Sequence, residues 1–165
     1  MSKQNRAGYE KKFLAGIEIW NTWLAEATAS SDQISIAECR GVIEEMQAKN
    51  ANFIQALDAY DQTGLGVTFV SDRNESWAMI ILDPTENTAR IENSSFRFQL
   101  YDRSGFLEHA TYPSPYAAVA EAFEMGYTKE CVSQLDDFAF TQQWKKGMDS
   151  VHTAQQSWHA VAGSN

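Results

Sequence analysis

The middle third of the sequence, from Gly66 to Gly126, constrains the fold more than any other part of the chain. Apolar and polar residues alternate there in short runs separated by turn residues, and long helical patterns lie on both sides. Strands flanked by helices in this order are typical of an α+β fold. We therefore expect a single domain with a helix hairpin (residues 1–64), a sheet (65–112) and C-terminal helices (113–165).

The first 64 residues carry two amphipathic patterns joined by a short polar break at residues 30–33. Apolar side chains at spacings of three and four predict a first helix from about Tyr9 to Ala29. A capping box formed by Ser35 and Glu38, with a hydrophobic staple between Ile34 and Cys39, predicts where the second helix starts. Its expected end is at residues 63–64. Two helices joined by so short a break should pack as an antiparallel hairpin.

From Gly66 the apolar spacing changes from nearly four residues to two, which indicates strands. The segment 76–83 is apolar on both faces and is expected to be a central strand covered on both sides. Weaker alternation predicts a strand at 88–92, and clearer patterns predict strands at 96–101 and 106–112. Together with residues 67–70, these form an expected antiparallel sheet of about five short strands.

Two helix starts follow the strands. Ser114 followed by Pro115 predicts an N-cap and a first helical residue, with the helix ending at Gly126. Ser133 and Asp136 form a second capping box, which predicts a last helix that Gly147 interrupts. Residues 148–162 can also be helical, with fraying at the end.

Charge and composition exclude several classes of protein. The net charge is −9, and the excess of acids is largest in residues 65–127. Direct binding to nucleic acid needs clustered Lys and Arg, which the chain lacks. The polar N-terminus and the absence of a long apolar run predict a cytoplasmic protein without a membrane segment. Cys39 and Cys131 are not part of a paired motif, so nothing in their spacing supports a disulfide.

No motif in the sequence requires a particular reaction. Asp149, His152 and His159 could share a helix face, but this spacing is too short to define a metal site, so no metal and no cofactor are expected. A nucleophile elbow is absent, and the glycines at 64 and 66 precede a strand rather than a helix, which excludes a phosphate loop. If the protein were an enzyme, Arg97, Tyr101 and His109 would be the candidates, provided that they line one mouth of the sheet.

Large rings are unusually frequent for a small core: five Trp, nine Phe and six Tyr. Some of them should lie near the surface, where rings act as anchors and surrounding acids steer a basic partner. We therefore expect a non-enzymatic protein-binding module with an acidic sheet face as its contact surface. A sharper hypothesis is a small bacterial or phage inhibitor, of the anti-CRISPR or anti-restriction type, that binds a basic nucleic-acid-processing or defence enzyme.

The expected contact residues are the acids of the sheet region with one ring among them. They are Glu75, Asp83, Glu86, Glu92, Tyr101, Asp102 and Glu108. Two alternatives stay open at this stage. One is a small enzyme with a pocket on the sheet, and the other is a structural or assembly subunit that forms a homo-oligomer through the helix hairpin.

Overall fold

The structure is a computed structural model that describes residues 6–73, 75–83, 95–132, 134–139 and 141–149. At its centre is a five-stranded sheet in the order β4-β3-β2-β1-β5, in which all neighbouring strands are antiparallel. The strands are β1 (Thr68–Ser71), β2 (Ser76–Leu82), β3 (Phe96–Asp102), β4 (Gly105–Tyr112) and β5 (Tyr127–Glu130). The helices are α1 (Ile17–Ser30), α2 (Gln33–Thr63), α3 (Pro115–Glu124) and α4 (Gln134–Ala139), and residues 142–149 are also helical. The expected α+β fold is confirmed.

The central strand β2 is covered on both faces, as its sequence predicts. Ala78 and Ile80 point into the main core, where they pack with residues of α2 and α3. Trp77, one residue away, belongs to a second cluster on the opposite face with Leu135 and Trp144. Successive residues of a strand point to opposite faces, so an apolar run of this kind needs cover on both sides.

One strand of the described sheet was not predicted: β5 follows α3 and pairs with β1. Residues 88–92, predicted as a strand, lie outside the described residues. The pattern was missed because β5 has only four residues and two of them, Lys129 and Glu130, are exposed. A polar edge strand carries little apolar alternation.

The first helix starts later than predicted, at Ile17 instead of about Tyr9. Gly16 has a φ of 84°, a left-handed conformation that cannot continue an α-helix. Residues 6–15 instead form two short 3₁₀ turns, and the rings of Tyr9 and Phe13 pack against the main core. The aromatic residues of the predicted first helix are therefore divided. Tyr9 and Phe13 pack against the main core, whereas Trp20 and Trp23 lie on α1.

Asn50 holds this N-terminal segment on α2. Its side-chain amide donates to the carbonyl of Glu10 at 2.9 Å and accepts from the backbone N–H of Phe13 at 3.2 Å. Asn50 is buried, so both bonds satisfy groups that would otherwise be desolvated without a partner. By helix propensity alone, Asn50 would weaken α2. In the structure it instead connects α2 to the N-terminal segment.

The capping box at the start of α2 was predicted wrongly. Asp32 is the N-cap, and its carboxylate accepts from the backbone N–H groups of Ile34 and Ser35 at 3.1 and 3.2 Å. Ser35 lies in the first turn and donates its hydroxyl to Asp32. The expected staple is also wrong, because Ile34 is 82% exposed while Cys39 is buried. The predicted end of α2 is confirmed, with Gly64 following Thr63.

The other predicted helix starts fare better. Ser114 caps α3 by accepting from the N–H of Ala117 at 3.0 Å, with Pro115 at the first position, as expected. The helix α4 begins at Gln134, although Ser133 of its predicted capping box lies outside the described residues. Residues 142–149 are helical through Gly147, so the predicted interruption at this glycine is wrong.

Gly147 has a different role. A Cβ atom at this position would lie 1.6 Å from the carbonyl oxygen of Ser104, in the β3–β4 turn. Only a residue without a side chain permits this approach of a helix to a turn. Through this contact, Trp144 lies on the face of the sheet opposite the main core. Its ring stacks there on Tyr101 at a centroid distance of 5.2 Å.

Candidate binding surface on the helical arm

The N-terminal part of the hairpin lies outside the main core. We call residues 17–45, which comprise α1 and the first turns of α2, the arm. The α2 residues in the main core begin at Phe53, whereas the buried arm residues Ile36, Cys39 and Ile43 do not belong to that cluster. Their cover comes from α1, which packs along α2. The arm is therefore a two-helix structure with little support from the sheet.

α1 buries very little of its own apolar surface. Of its 14 residues only Ala27 is buried, while Ile19 is 55% and Trp23 is 48% exposed. Near the start of α2, Ile34 is exposed as well. Large apolar side chains grouped on one surface are rarer than single ones and often mark a contact site. The apolar side chains that predicted this helix are present, but the described part of the chain leaves most of them partly or wholly uncovered.

An open groove runs between the two helices of the arm, with a cavity volume of about 410 Å³. We call it the arm groove. Trp20 and Trp23 form one wall, with their rings edge to face at a centroid distance of 5.0 Å. The full lining is Trp20, Trp23, Glu26, Ala27, Ser30, Asp32, Ser35, Glu38 and Cys39.

The arm groove has a rim of one charge sign. Glu26, Asp32 and Glu38 line it, and residues 17–39 contain four acids with no Lys, Arg or His. The hydrogen bond from the Ser35 hydroxyl, with the backbone bonds at the helix start, lowers the pKa of Asp32 below its ordinary value. Its carboxylate is therefore charged at neutral pH. The arm groove combines two aromatic rings with negative potential.

The acids predicted to contact a partner are divided among different environments. Asp83 is only 6% exposed: Arg97 donates to it at 2.6 Å and Thr111 donates to it at 3.0 Å. This carboxylate is neutralised inside the protein and presents no charge to a partner. Tyr101 is also buried, under Trp144, and donates its hydroxyl to Gln99. These two residues are removed from the expected contact face for that reason.

Of the remaining predicted contact residues, the structure describes three. Glu75 and Glu108 are exposed, and Asp102 is half-buried and accepts from the backbone N–H and hydroxyl of Ser104. Asp102 pairs with Ser76, next to Glu75, at one end of β2 and β3, whereas Glu108 pairs with Leu100 along the edge strand β4. Glu86 and Glu92 lie outside the described residues.

The three residues considered for an enzyme lie on one face of the sheet but are not equally accessible. Arg97, Tyr101 and His109 share that face because Arg97 pairs with Thr111 and Gln99 pairs with His109. Only His109 is exposed. Burial raises the pKa of Tyr101, so its hydroxyl stays neutral and acts as a donor to Gln99. Arg97 is the ion-pair partner of the buried Asp83, and Tyr101 is the stacking partner of Trp144. Both residues therefore have structural roles.

The described residues also bear on metal and thiol chemistry. Within the described ranges, no group of three or more His, Cys, Asp or Glu side chains could hold a metal ion. Asp149 is described, but His152 and His159 are not. Cys39 and Cys131 are both free thiols. Cys131 lines a smaller cavity of about 210 Å³ beside β1 and β5, together with Thr68 and Met79.

No helix in the described part of the chain could cross a membrane. α2 has the length, at 31 residues, but charged side chains occur along it.

The arm groove was missed because a stripe of rings looks the same in a sequence whether it is covered or not. Its one signal is the absence of basic residues from 17 to 39, beside two Trp residues. Comparisons of the chain with protein families, curated proteins and solved structures found no match, so its function is inferred from its own residues.

Proposed function

We propose that this protein is a non-enzymatic protein-binding module and that the arm groove is its contact surface. The supporting observation is that α1 buries one of its 14 residues while Ile19 and Trp23 stay about half exposed. Trp is among the residues that contribute most to binding when a partner desolvates it. Trp23 in the groove lining and Ile19, exposed four residues before it on α1 and outside the lining, give the contact surface its apolar anchor. The acids of the rim give it a preference for partners of opposite charge.

The small acidic inhibitor is the narrower form of this proposal. A net charge of −9 would steer the protein toward a basic enzyme and away from nucleic acid. In this form Glu75, Asp102 and Glu108 would add to the electrostatic attraction, while the arm makes the close contact. Attraction of this kind weakens at high ionic strength, since the Debye length shortens from about 10 Å at 0.1 M to about 3 Å at 1 M salt.

Affinity capture from a bacterial lysate tests the proposal when it is combined with matched variants. Ile19→Ser and Trp23→Ser remove the apolar anchor, and Leu107→Ser removes a similarly exposed side chain from β4 as a control. We expect the partner to be lost with both arm variants and kept with Leu107→Ser. Circular dichroism should show that all three variants are folded. Equal capture by all of them would exclude the arm as the contact surface.

A homo-oligomer formed through the hairpin is the alternative that this surface also allows. Light scattering at several concentrations distinguishes the two. A mass that rises with concentration in the wild type, but not in Trp23→Ser, would favour an assembly subunit. A constant monomer mass would favour binding to a different protein.

A further inference from the structure

The arm groove is specific enough in shape and charge to indicate the class of partner, given the proposed function that it is a contact surface. The groove lies between two antiparallel helices joined by a two-residue connection, Ser31 and Asp32. In helix bundles, the apolar side of a helix pair is buried against further helices. An amphipathic helix placed in a groove is a common mode of recognition, with anchors at spacings of three and four.

Charge argues against a second copy of the chain as that helix. A symmetric dimer through the arm places the same patch of each protomer against itself. Each groove lining carries Glu26, Asp32 and Glu38 and no basic residue, and Arg40, the one basic residue of the arm, is exposed outside the lining. Like charges brought together at an interface oppose association. The occupant therefore has to supply the positive charge that the groove lining lacks.

The positions of the acids define where that charge belongs. Glu26 is on α1 and Glu38 is on α2, so the two carboxylates lie on different helices that line the same groove. Trp20 and Trp23 line it from α1. A helix in this groove would place its apolar side chains on the rings and its flanking Lys or Arg side chains toward Glu26 and Glu38. Cations near a Trp face also gain from the ring's negative potential.

We propose that the arm groove binds a basic amphipathic helix of a partner protein, in which a bulky apolar residue contacts Trp23 and flanking Lys or Arg residues pair with Glu26 and Glu38. The proposal names two contributions, one apolar and one electrostatic. Each can be removed separately in the full-length protein.

The probe is a synthetic amphipathic helix of about 18 residues, with Leu on one face and Lys on the flanks, a length at which a peptide can be helical. A second peptide keeps the Leu face and replaces each Lys by Glu. Titration calorimetry with the wild-type protein should show binding of the Lys peptide only. We expect its affinity to fall at least tenfold in Trp23→Ala, as for a central interface Trp.

Two double variants distinguish the contribution of the rim acids to binding from the general attraction of a basic peptide to an acidic protein. Glu26→Gln with Glu38→Gln removes two charges from the rim, whereas Glu44→Gln with Glu45→Gln removes two exposed charges of α2 that do not line the groove. We expect about a fivefold loss of affinity in the first and less than twofold in the second. Asp32 is left unchanged because it caps α2.

The outcomes distinguish this inference from the proposed function. Equal losses in the two double variants, or equal binding of the Lys and Glu peptides, would overturn the basic helix as the ligand. If lysate capture still depended on Ile19 and Trp23 in that case, the arm would remain a contact surface for a partner of different chemistry. If capture did not depend on them, the proposed function would fail as well.

Discussion

The two halves of α2 belong to structurally different parts of the same molecule. From Phe53 onward the helix packs in the main core with the sheet and α3, and Phe53 and Leu57 are fully buried. In the arm the same helix is covered on one side by α1 alone, and the apolar rings of α1 remain accessible. The comparison shows that one continuous helix can be embedded in the core at one end and leave apolar side chains of its neighbour accessible at the other.

The largest expected effect comes from removing a buried side chain from the core half of α2. Phe53 contacts the rings of Phe13 and Phe123 at centroid distances of 5.0 and 5.2 Å. Phe53→Ala should lower the free energy of unfolding by about 3–5 kcal/mol because it leaves a cavity among these rings. Trp23→Ala in the arm should lower it by less than about 1 kcal/mol. Urea denaturation followed by circular dichroism measures both, and similar losses would contradict the division of α2.

Two helical glycines provide the next test, because alanine should act in opposite directions at the two sites. Gly147→Ala should destabilise the protein by about 1–3 kcal/mol, since the new Cβ would overlap the carbonyl of Ser104. Gly41→Ala, where nothing lies within 4 Å of the new Cβ, should stabilise it by about 0.5–1 kcal/mol. Thermal denaturation of the two variants checks this. A stabilising Gly147→Ala would mean that the contact with Ser104 is not close.

The smallest expected effect is the pH dependence of the cap at the tip of the arm. The pKa of Asp32 lies below its ordinary value of 3.8 because of the hydrogen bond from Ser35. A lowered carboxyl pKa in the folded state stabilises the protein fully above that ordinary value, and the stabilisation is lost as the pH falls through the folded pKa.

At neutral pH, Asp32→Ala should lower the melting temperature, and Asp32→Asn should largely restore it because Asn also accepts a bond at an N-cap. Below pH 4 the difference between the wild type and Asp32→Ala should shrink. Melting temperatures measured from pH 7 to pH 3 provide the comparison. A difference that stays constant over this range would show that the charge of Asp32 does not contribute to the cap.

The parts of the fold that local chemistry determines could be predicted from the sequence. The cap at Ser114 and Pro115 and the end of α2 at Gly64 depend on a few neighbouring residues, and both are confirmed. The doubly covered strand β2 was also recognisable, because its apolar run has no polar face. Patterns of this kind need no knowledge of distant contacts.

Features that depend on distant partners could not be predicted. Asp32 and Ser35 are both good N-caps by residue type, and the choice between them depends on where the chain leaves α1. Gly147 resembles a helix breaker until Ser104, which is distant in the sequence, is placed against it. The burial of Asp83 likewise depends on Arg97 and Thr111, in two other strands.

The arm groove was only half predictable. The stripe of α1 and the acidic bias are visible in the sequence, but a sequence does not show which side of a stripe the rest of the chain covers. Some rings were expected near the surface without a prediction of which ones, and the structure leaves Trp23 about half exposed. The acids of the sheet region were predicted as the contact surface because of their number. The sequence did not show that one of them, Asp83, is paired with Arg97 inside the protein.

The unbroken course of α2 has a mechanical consequence. A helix of 31 residues is roughly 46 Å long at 1.5 Å per residue, and its last turns are embedded among the rings of the core. A rod fixed in the core at one end should move together with the sheet at its other end. Spin labels placed near Gly41 and on β5 should therefore reorient together.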